Sequence, residues 1–269
     1  MCRYYKYSSQ RGQEQTMKKL AILPALAAIL IAICCGSVAA QGPDPALIEN
    51  GRKLFSDTTL SASGQTSCAT CHPANGHTDN KTYIGLDVVA DGDPKGRSTP
   101  TLWGAGTRSA YSWAGTAPSL EANIRGIIVN RMKGAEPPPE KLAALAAYVR
   151  SLTPPGNSNI GNDGLPTKTA SAGIQRGFDL FVGKGGCGTC HVLPTFDKKE
   201  AEDVGSGAKF KVPSLWAVSK TGPWFNDGRY KTLGEVVTYM WEFQSKKAGA
   251  PSTPTSAELA DILAYLDAL

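Results

Sequence analysis

Histidine and methionine are scarce in this 269-residue chain, which has three of the first and four of the second. Aromatic residues make up only 8% of it, and no segment sustains the apolar–polar alternation of a half-buried strand, which argues against a sheet-based fold. No cysteine beyond the first 40 residues stands outside a C-x-x-C pair. That leaves no spare thiol for an unrelated disulfide or a lone nucleophile. The charge excess is also small once the N-terminus is set aside. Residues 1–40 carry five Lys/Arg and one Glu, so removing them takes the formal charge from +5 to about +1. A nucleic-acid-binding role thereby loses its main support.

That N-terminus reads as a leader. Met17, Lys18 and Lys19 precede the apolar run LAILPALAAILIAICC and then GSVAA, the basic, apolar and small-residue sections of a cleavable signal peptide. Val38 and Ala40 fit the positions before a cut, so the mature chain is expected to start near Gln41 and to be periplasmic. Residues 1–16 precede the natural-looking start at Met17 and are set aside with the leader. An uncleaved membrane anchor is the alternative, since the run is only a few residues short of a bilayer span. A lipoprotein cysteine at Cys34 or Cys35 fits less well, because Ile33 is bulkier than such a site wants.

Loss of the leader removes Cys2, Cys34 and Cys35 and leaves Cys68, Cys71, Cys187 and Cys190. Two of the three histidines follow these pairs directly, giving CATCH at 68–72 and CGTCH at 187–191, 119 positions apart. C-x-x-C-H is the attachment signature of c-type haem. Two thiols become thioethers on the haem edge, and the next side chain, His72 or His191, is delivered to the iron as an axial imidazole. A redox disulfide has no need of the histidine, and an exported chain with two separate units fits two covalently bound haem c groups better than one zinc site.

The chain repeats itself around the two motifs. Pro100, Leu102, Trp103, Gly115 and Leu120 match Pro213, Leu215, Trp216, Gly228 and Leu233 at a constant offset of 113. GRKLF (51–55) parallels GFDLF (177–181), and the apolar spacing in 141–152 and 258–269 predicts a closing helix for each half. Thr255 and Glu258 form a capping box for the second closing helix. Segment 153–173, rich in Pro, Gly, Ser and Asn, reads as a linker. The expectation is a mainly α protein: an N-terminal haem domain over 41–153, a linker over 154–173, and a second cytochrome c-like haem domain over 174–269, with long loops on the haem faces.

Few residues can supply a sixth ligand to the irons: His77, Met132 and Met240 are the only other histidine or methionines after the leader. Met240 lies in a helical stretch, where it is either a ligand or a gap-filling core residue. His77 is five residues past His72 and better placed to hydrogen-bond in its own loop. Met132 sits five residues beyond the repeat partner of Met240, Ile127, so the first haem face reads as open or weakly ligated.

With those residues in view, the mature chain resembles the dihaem cytochrome c peroxidase family, which includes MauG-type proteins. The stretches that carry the resemblance are GRKLFSDTTLSASGQTSCATCH, GHTDNKTYIGLDVVADGDPKGRSTPTLW, YSWAGTAPSLE, LFVGKGGCGTCHVLPTF and FKVPSLWAVSKTGPWFNDGRYKTLGEVV. It implies a low-potential first haem that meets hydrogen peroxide and a high-potential second haem that receives electrons from a small cytochrome or cupredoxin-type partner. It also implies Met240 as the methionine ligand of the second haem, and it allows a calcium ion between domains.

The departures from the family pattern gather at the first haem. Leu86 stands where peroxidases have a loop histidine. Arg131 stands before Met132 where a glutamate is usual. AGT (114–116) replaces the DGR turn that the second half keeps at 227–229, and the tryptophan expected between the haems is not evident, Trp103 and Trp113 lying at other motif positions. Peroxide cleavage needs a proton moved between its oxygens, and an arginine cannot act as a base. Arg131 is the candidate for stabilising negative charge instead, and Glu121 and Glu136 are the nearby acids in sequence. The leading expectation is therefore an exported electron-transfer cytochrome on a peroxidase scaffold. A peroxidase is the alternative, and oxidation of another small molecule is a third reading with no specific residue behind it. Lys198, Lys199, Lys209 and Lys211 could steer an acidic redox partner.

Overall fold

The computed structural model describes residues 44–73, 75–83 and 96–269. The leader and Leu86 lie outside them. The opening helix α1 (Pro45–Phe55) starts where Asp44 accepts the Ala46 N–H at 2.9 Å and a proline occupies its first turn, the two features that suit a helix start. A single turn, α2 (Cys68–Cys71), carries the first attachment motif. Downstream come α3 (Leu120–Gly126), a π-helical turn over Ile127–Arg131, and α4 (Pro139–Ser151).

The second half runs in the same order: α5 (Ala172–Val182), a short 3-10 turn over Cys187–Thr189, α6 (Leu233–Lys247) and α7 (Ser256–Ala268). The capping box of α7 is formed. The Thr255 N–H donates to Glu258 at 2.9 Å, and the Glu258 N–H donates to the Thr255 hydroxyl at 3.2 Å. Strands among the described residues are limited to two antiparallel pairs of two residues each, β1 (Thr82–Tyr83) with β2 (Arg97–Ser98) and β3 (Ala201–Glu202) with β4 (Phe210–Lys211), besides a few isolated bridges. Each pair pins the loop that follows an attachment motif. The protein is thus mainly helical, in line with the sequence pattern.

One packing unit is used twice. α1 lies against α4 and α5 against α7. Each contact is close because a glycine sits in it: a Cβ on Gly51 would fall 2.0 Å from the Ala144 carbonyl oxygen, and one on Gly177 2.0 Å from that of Asp261. The same aromatic contact closes both, Phe55 edge-on to Tyr148 at 5.1 Å and Phe181 edge-on to Tyr265 at 5.4 Å. Such a contact adds about 0.5–1.5 kcal/mol to the area it buries. Two apolar clusters result, one around Phe55, Ile128 and Leu145, the other around Phe181, Trp241 and Tyr265.

The halves are not beads on a string, because the described residues from 44 onward form one compact unit. Ala217 of the second half packs in the first cluster. Segment 153–173 is not all exposed spacer either: Ile160 and Ala170 are buried in the second cluster, and the Tyr265 hydroxyl donates to the Gly164 carbonyl at 2.8 Å. Cross-links also run between the halves. Ser98 donates from its hydroxyl to Pro223 O at 2.8 Å and from its N–H to Asn226 O at 2.9 Å, and the Lys211 N–H donates to Trp113 O at 2.8 Å.

The glycine contacts give a direct test. Gly177→Ala forces helices α5 and α7 apart and is expected to lower stability by about 1–3 kcal/mol. Denaturant unfolding of the protein reads this as a lower midpoint at unchanged slope. A midpoint equal to wild type would contradict the close packing described.

Candidate functional site

Both attachment motifs are held on tight turns. At the first, the Ser67 N–H donates to the Thr70 hydroxyl at 3.0 Å, and the His72 N–H donates to Cys68 O at 2.9 Å. This winding keeps the two cysteines at i and i+3 on one face, with His72 at the end of the turn. At the second, Gly186 takes a left-handed backbone (φ 65°) and starts the 3-10 turn, and the His191 N–H donates to Cys187 O at 3.0 Å. No disulfide joins Cys68, Cys71, Cys187 or Cys190. Burial pushes the Cys68 and Cys187 thiols up to about 12.

The histidines are oriented by carbonyl groups. His72 Nδ1 donates to His77 O at 3.2 Å, while His191 Nδ1 faces both Phe196 O at 2.9 Å and Pro213 O at 3.0 Å. A carbonyl oxygen only accepts, so the hydrogen sits on Nδ1 in each ring and Nε2 keeps its lone pair. Burial pulls the His72 pKa down to about 4 and also lowers that of His191, holding both rings neutral. A neutral imidazole with Nδ1 tied to a carbonyl is the usual preparation of an axial ligand. The residues present therefore fit the group the motifs call for: Cys68, Cys71 and His72 would hold one c-type haem, and Cys187, Cys190 and His191 a second. Bound there, such a haem supplies a one-electron iron centre tuned by its axial ligands.

The tryptophans of the repeat support the same loops. Trp103 Nε1 donates to Asn75 O at 2.7 Å and Trp216 Nε1 to Pro194 O at 3.0 Å, three residues past His72 and His191 respectively. These carbonyl and indole contacts were not foreseen from the sequence. The available signal was the recurrence of Trp103 and Trp216 at the 113-residue offset, read above only as a repeat.

The sixth-ligand candidates fall in different surroundings. Met240 is half-buried in α6. One turn further along that helix, Gln244 donates to the Cys190 sulfur at 3.7 Å, so α6 runs alongside the second attachment site. Met132 ends the π-helical turn and packs at the edge of the first cluster, which Cys68 and Ala69 also border. His77 has both ring nitrogens engaged, Nδ1 with the Thr101 hydroxyl at 3.1 Å and Nε2 with Lys220 O at 2.8 Å. Its ring stacks on Trp103 at 4.0 Å.

Arg131 belongs to the π-helical turn and is partly exposed. Its charge is felt at His72, Cys71, Tyr83 and Asp79, and burial draws its pKa down. π-helical turns often accompany functional positions. The acids near it in sequence do not join it. Glu121 is paired with Arg150 at 2.6 Å, and Glu136 holds Arg125 through contacts of 2.5 and 2.6 Å. Asp79 accepts the Tyr83 hydroxyl at 2.5 Å and the Lys81 N–H at 3.2 Å.

One expected role is corrected by burial. Lys211 is 7% exposed, and that burial, with Arg108 as a like-charged neighbour, pulls its pKa down to about 7. It cannot steer a partner from the surface. Lys199 and Lys209 are exposed, and Lys198 is paired with Glu202. Among the described residues no group of three or more His, Cys, Asp or Glu side chains converges on a metal position, and no helix is long and apolar enough to cross a membrane.

Known proteins with this arrangement bear on its identity. Residues 45–153 match the model of the dihaem cytochrome c peroxidase family. The methylamine utilization protein MauG of Methylorubrum extorquens is 30% identical, with 84% of this chain and 78% of that protein covered. Cytochrome-c peroxidase IdrP1 of Denitromonas iodatirespirans is 25% identical over 91% of this chain and 92% of its own length. Among solved structures, hydrazine synthase of Kuenenia stuttgartiensis superposes with a TM-score of 0.67 over 97% of this chain and 100% of that one, at 20% identity, a likeness of fold alone. The attachment motifs, the repeated helix pairs and these similarities together place the chain in the dihaem cytochrome c peroxidase family.

Proposed function

We propose that the protein is an exported, periplasmic electron-transfer cytochrome built on the peroxidase scaffold as two tandem haem domains, with two covalently attached haem c groups and a small cytochrome or cupredoxin-type redox partner. The observation that carries this reading is the state of the acids around the first motif. Heterolysis of peroxide calls for a group that takes a proton from one oxygen and returns it to the other. Among the described residues, Glu121 and Glu136 are tied to arginines and Asp79 to Tyr83. Arg131 can stabilise an anion but cannot shuttle a proton.

In this reading the sixth ligand of the second haem is Met240 and that of the first is Met132. His77 is excluded from that role because both its ring nitrogens are already bonded. A thioether ligand raises the potential of a c-type site, which suits Met240 to the site that receives electrons. Arg131 beside the first motif gives a specific reason to keep a second reading, a peroxidase that reduces hydrogen peroxide at the first haem. Such a cation could favour charge developing on a peroxide oxygen, and IdrP1, a relative, is named a cytochrome-c peroxidase.

Three measurements separate these points. Intact mass of the exported protein is expected to show two covalent haems, and Cys187→Ser with Cys190→Ser to show one fewer. An unmodified wild-type mass would remove the haem assignment. Met240→Ala is expected to lower the potential of the second haem by on the order of 0.1 V, within the ~0.8 V range that axial ligation commands. An unchanged spectroelectrochemical titration would refute Met240 as ligand. Finally, electron-loaded protein mixed with hydrogen peroxide is expected to turn over no faster than free haem. Rapid turnover that Arg131→Leu abolishes would instead establish the peroxidase reading.

A further inference from the structure

The repeat makes an internal control for one residue. Five positions past each proximal histidine, a backbone carbonyl accepts its Nδ1–H, from His77 in the first half and Phe196 in the second. At both positions the side chain packs on the repeat tryptophan, whose indole bonds the carbonyl two residues earlier. Phe196 does this as a fully buried ring, edge-on to Trp216 at 5.3 Å and 86°. Packing alone is thus satisfied by phenylalanine.

His77 does something more. Its ring lies nearly flat on Trp103, 4.0 Å between centroids with 20° between planes, which leaves the two nitrogens at the edge of the stack. Nε2 then donates to Lys220 O, 143 residues away in the second half, at 2.8 Å. The Thr101 hydroxyl, which accepts the Trp103 N–H at 3.2 Å, completes the ring's bonding at Nδ1. The surrounding contacts converge on the same stretch. With its amide nitrogen turned toward them, Asn80 reaches Gly222 O at 2.7 Å and Lys220 O at 3.1 Å, and Ser98 reaches Pro223 O at 2.8 Å. One residue therefore bonds the first proximal histidine through its carbonyl and the second half through its ring.

We propose that His77 is a positioning residue that clamps the first haem-binding loop to segment 217–223, fixing the orientation of His72 and the spacing of the two haem sites together. The inference deepens the electron-transfer reading, since exchange between two fixed centres depends on their separation and on the orientation of their axial ligands. Outer carbonyl partners of a ligating histidine are worth roughly 10-fold or more in function, and His77 carries that carbonyl.

The test uses the holoprotein with both haems attached and the variant His77→Phe, which is the second half's own residue at this position. Stacking is kept and the bond to Lys220 is lost. After flash reduction, electron exchange between the haems is expected to slow about tenfold, the ferric EPR signal of the first haem to shift, and that of the second to stay put. His77→Gln, whose amide can again donate toward Lys220, is expected to restore most of the rate. Wild-type exchange and a wild-type first-haem signal in His77→Phe would overturn the clamp. If the wild-type protein itself shows no exchange between its haems, the electron-transfer reading falls, and the clamp is decided by the EPR signal alone: a shift supports it, an identical spectrum overturns it. Should His77→Phe not take up both haems, Thr101→Val carries the test, slowed exchange supporting the clamp and unchanged exchange overturning it.

Discussion

A hydrogen bond from the histidine Nδ1 to a carbonyl five residues downstream governs both sites. It fixes the tautomer, leaves Nε2 available, and aims the ring. Everything around it serves that bond. The indole of the repeat tryptophan holds the loop that supplies the carbonyl, and the two-residue strand pairs anchor the chain beyond it. Helix pairs brought close by Gly51 and Gly177 form the floor beneath. Burial acts in the same sense at both, drawing the His72 pKa down to about 4 and that of His191 below the ordinary imidazole value.

Duplication of this unit explains why the chain can diverge in one half. The second half keeps an aspartate and an arginine at its DGR turn, where the Arg229 guanidinium stacks over Phe225 at 4.3 Å, and it binds its proximal histidine through two carbonyls. The first half has AGT at the matching turn, one carbonyl on His72, and a π-helical turn bearing Arg131 where the repeat offers ordinary helix. Glu121 and Glu136 face arginines, while Asp79 holds Tyr83 beside the first motif. The helical scaffold is shared, and the two halves differ in the side chains that border the attachment motifs.

Much of this was legible in the sequence because it depends on local spacing. C-x-x-C-H, the closing helices and the Thr255–Glu258 box are all patterns of a few residues, and the turns, helices and box stand where the spacing put them. What stayed hidden depends on contacts across long separations. Nothing local to His77 says that its ring meets Lys220. Nothing in the run from 198 to 211 says that Lys211 faces inward, because a two-residue strand has no periodicity to read. The places of Glu121 and Glu136 were likewise undecided until their arginine partners were seen, Arg150 lying on a different helix and Arg125 eleven residues away.

The central claim is that both haem sites are closed by protein ligands and built to pass electrons. It is tested most directly by the low-temperature EPR spectrum of the mixed-valence protein, with the high-potential haem reduced and the other ferric. The account predicts a purely low-spin ferric signal from the first haem, lost on Met132→Ala. A high-spin signal in the wild-type protein would mean an open iron and contradict it in favour of a peroxide-reactive site.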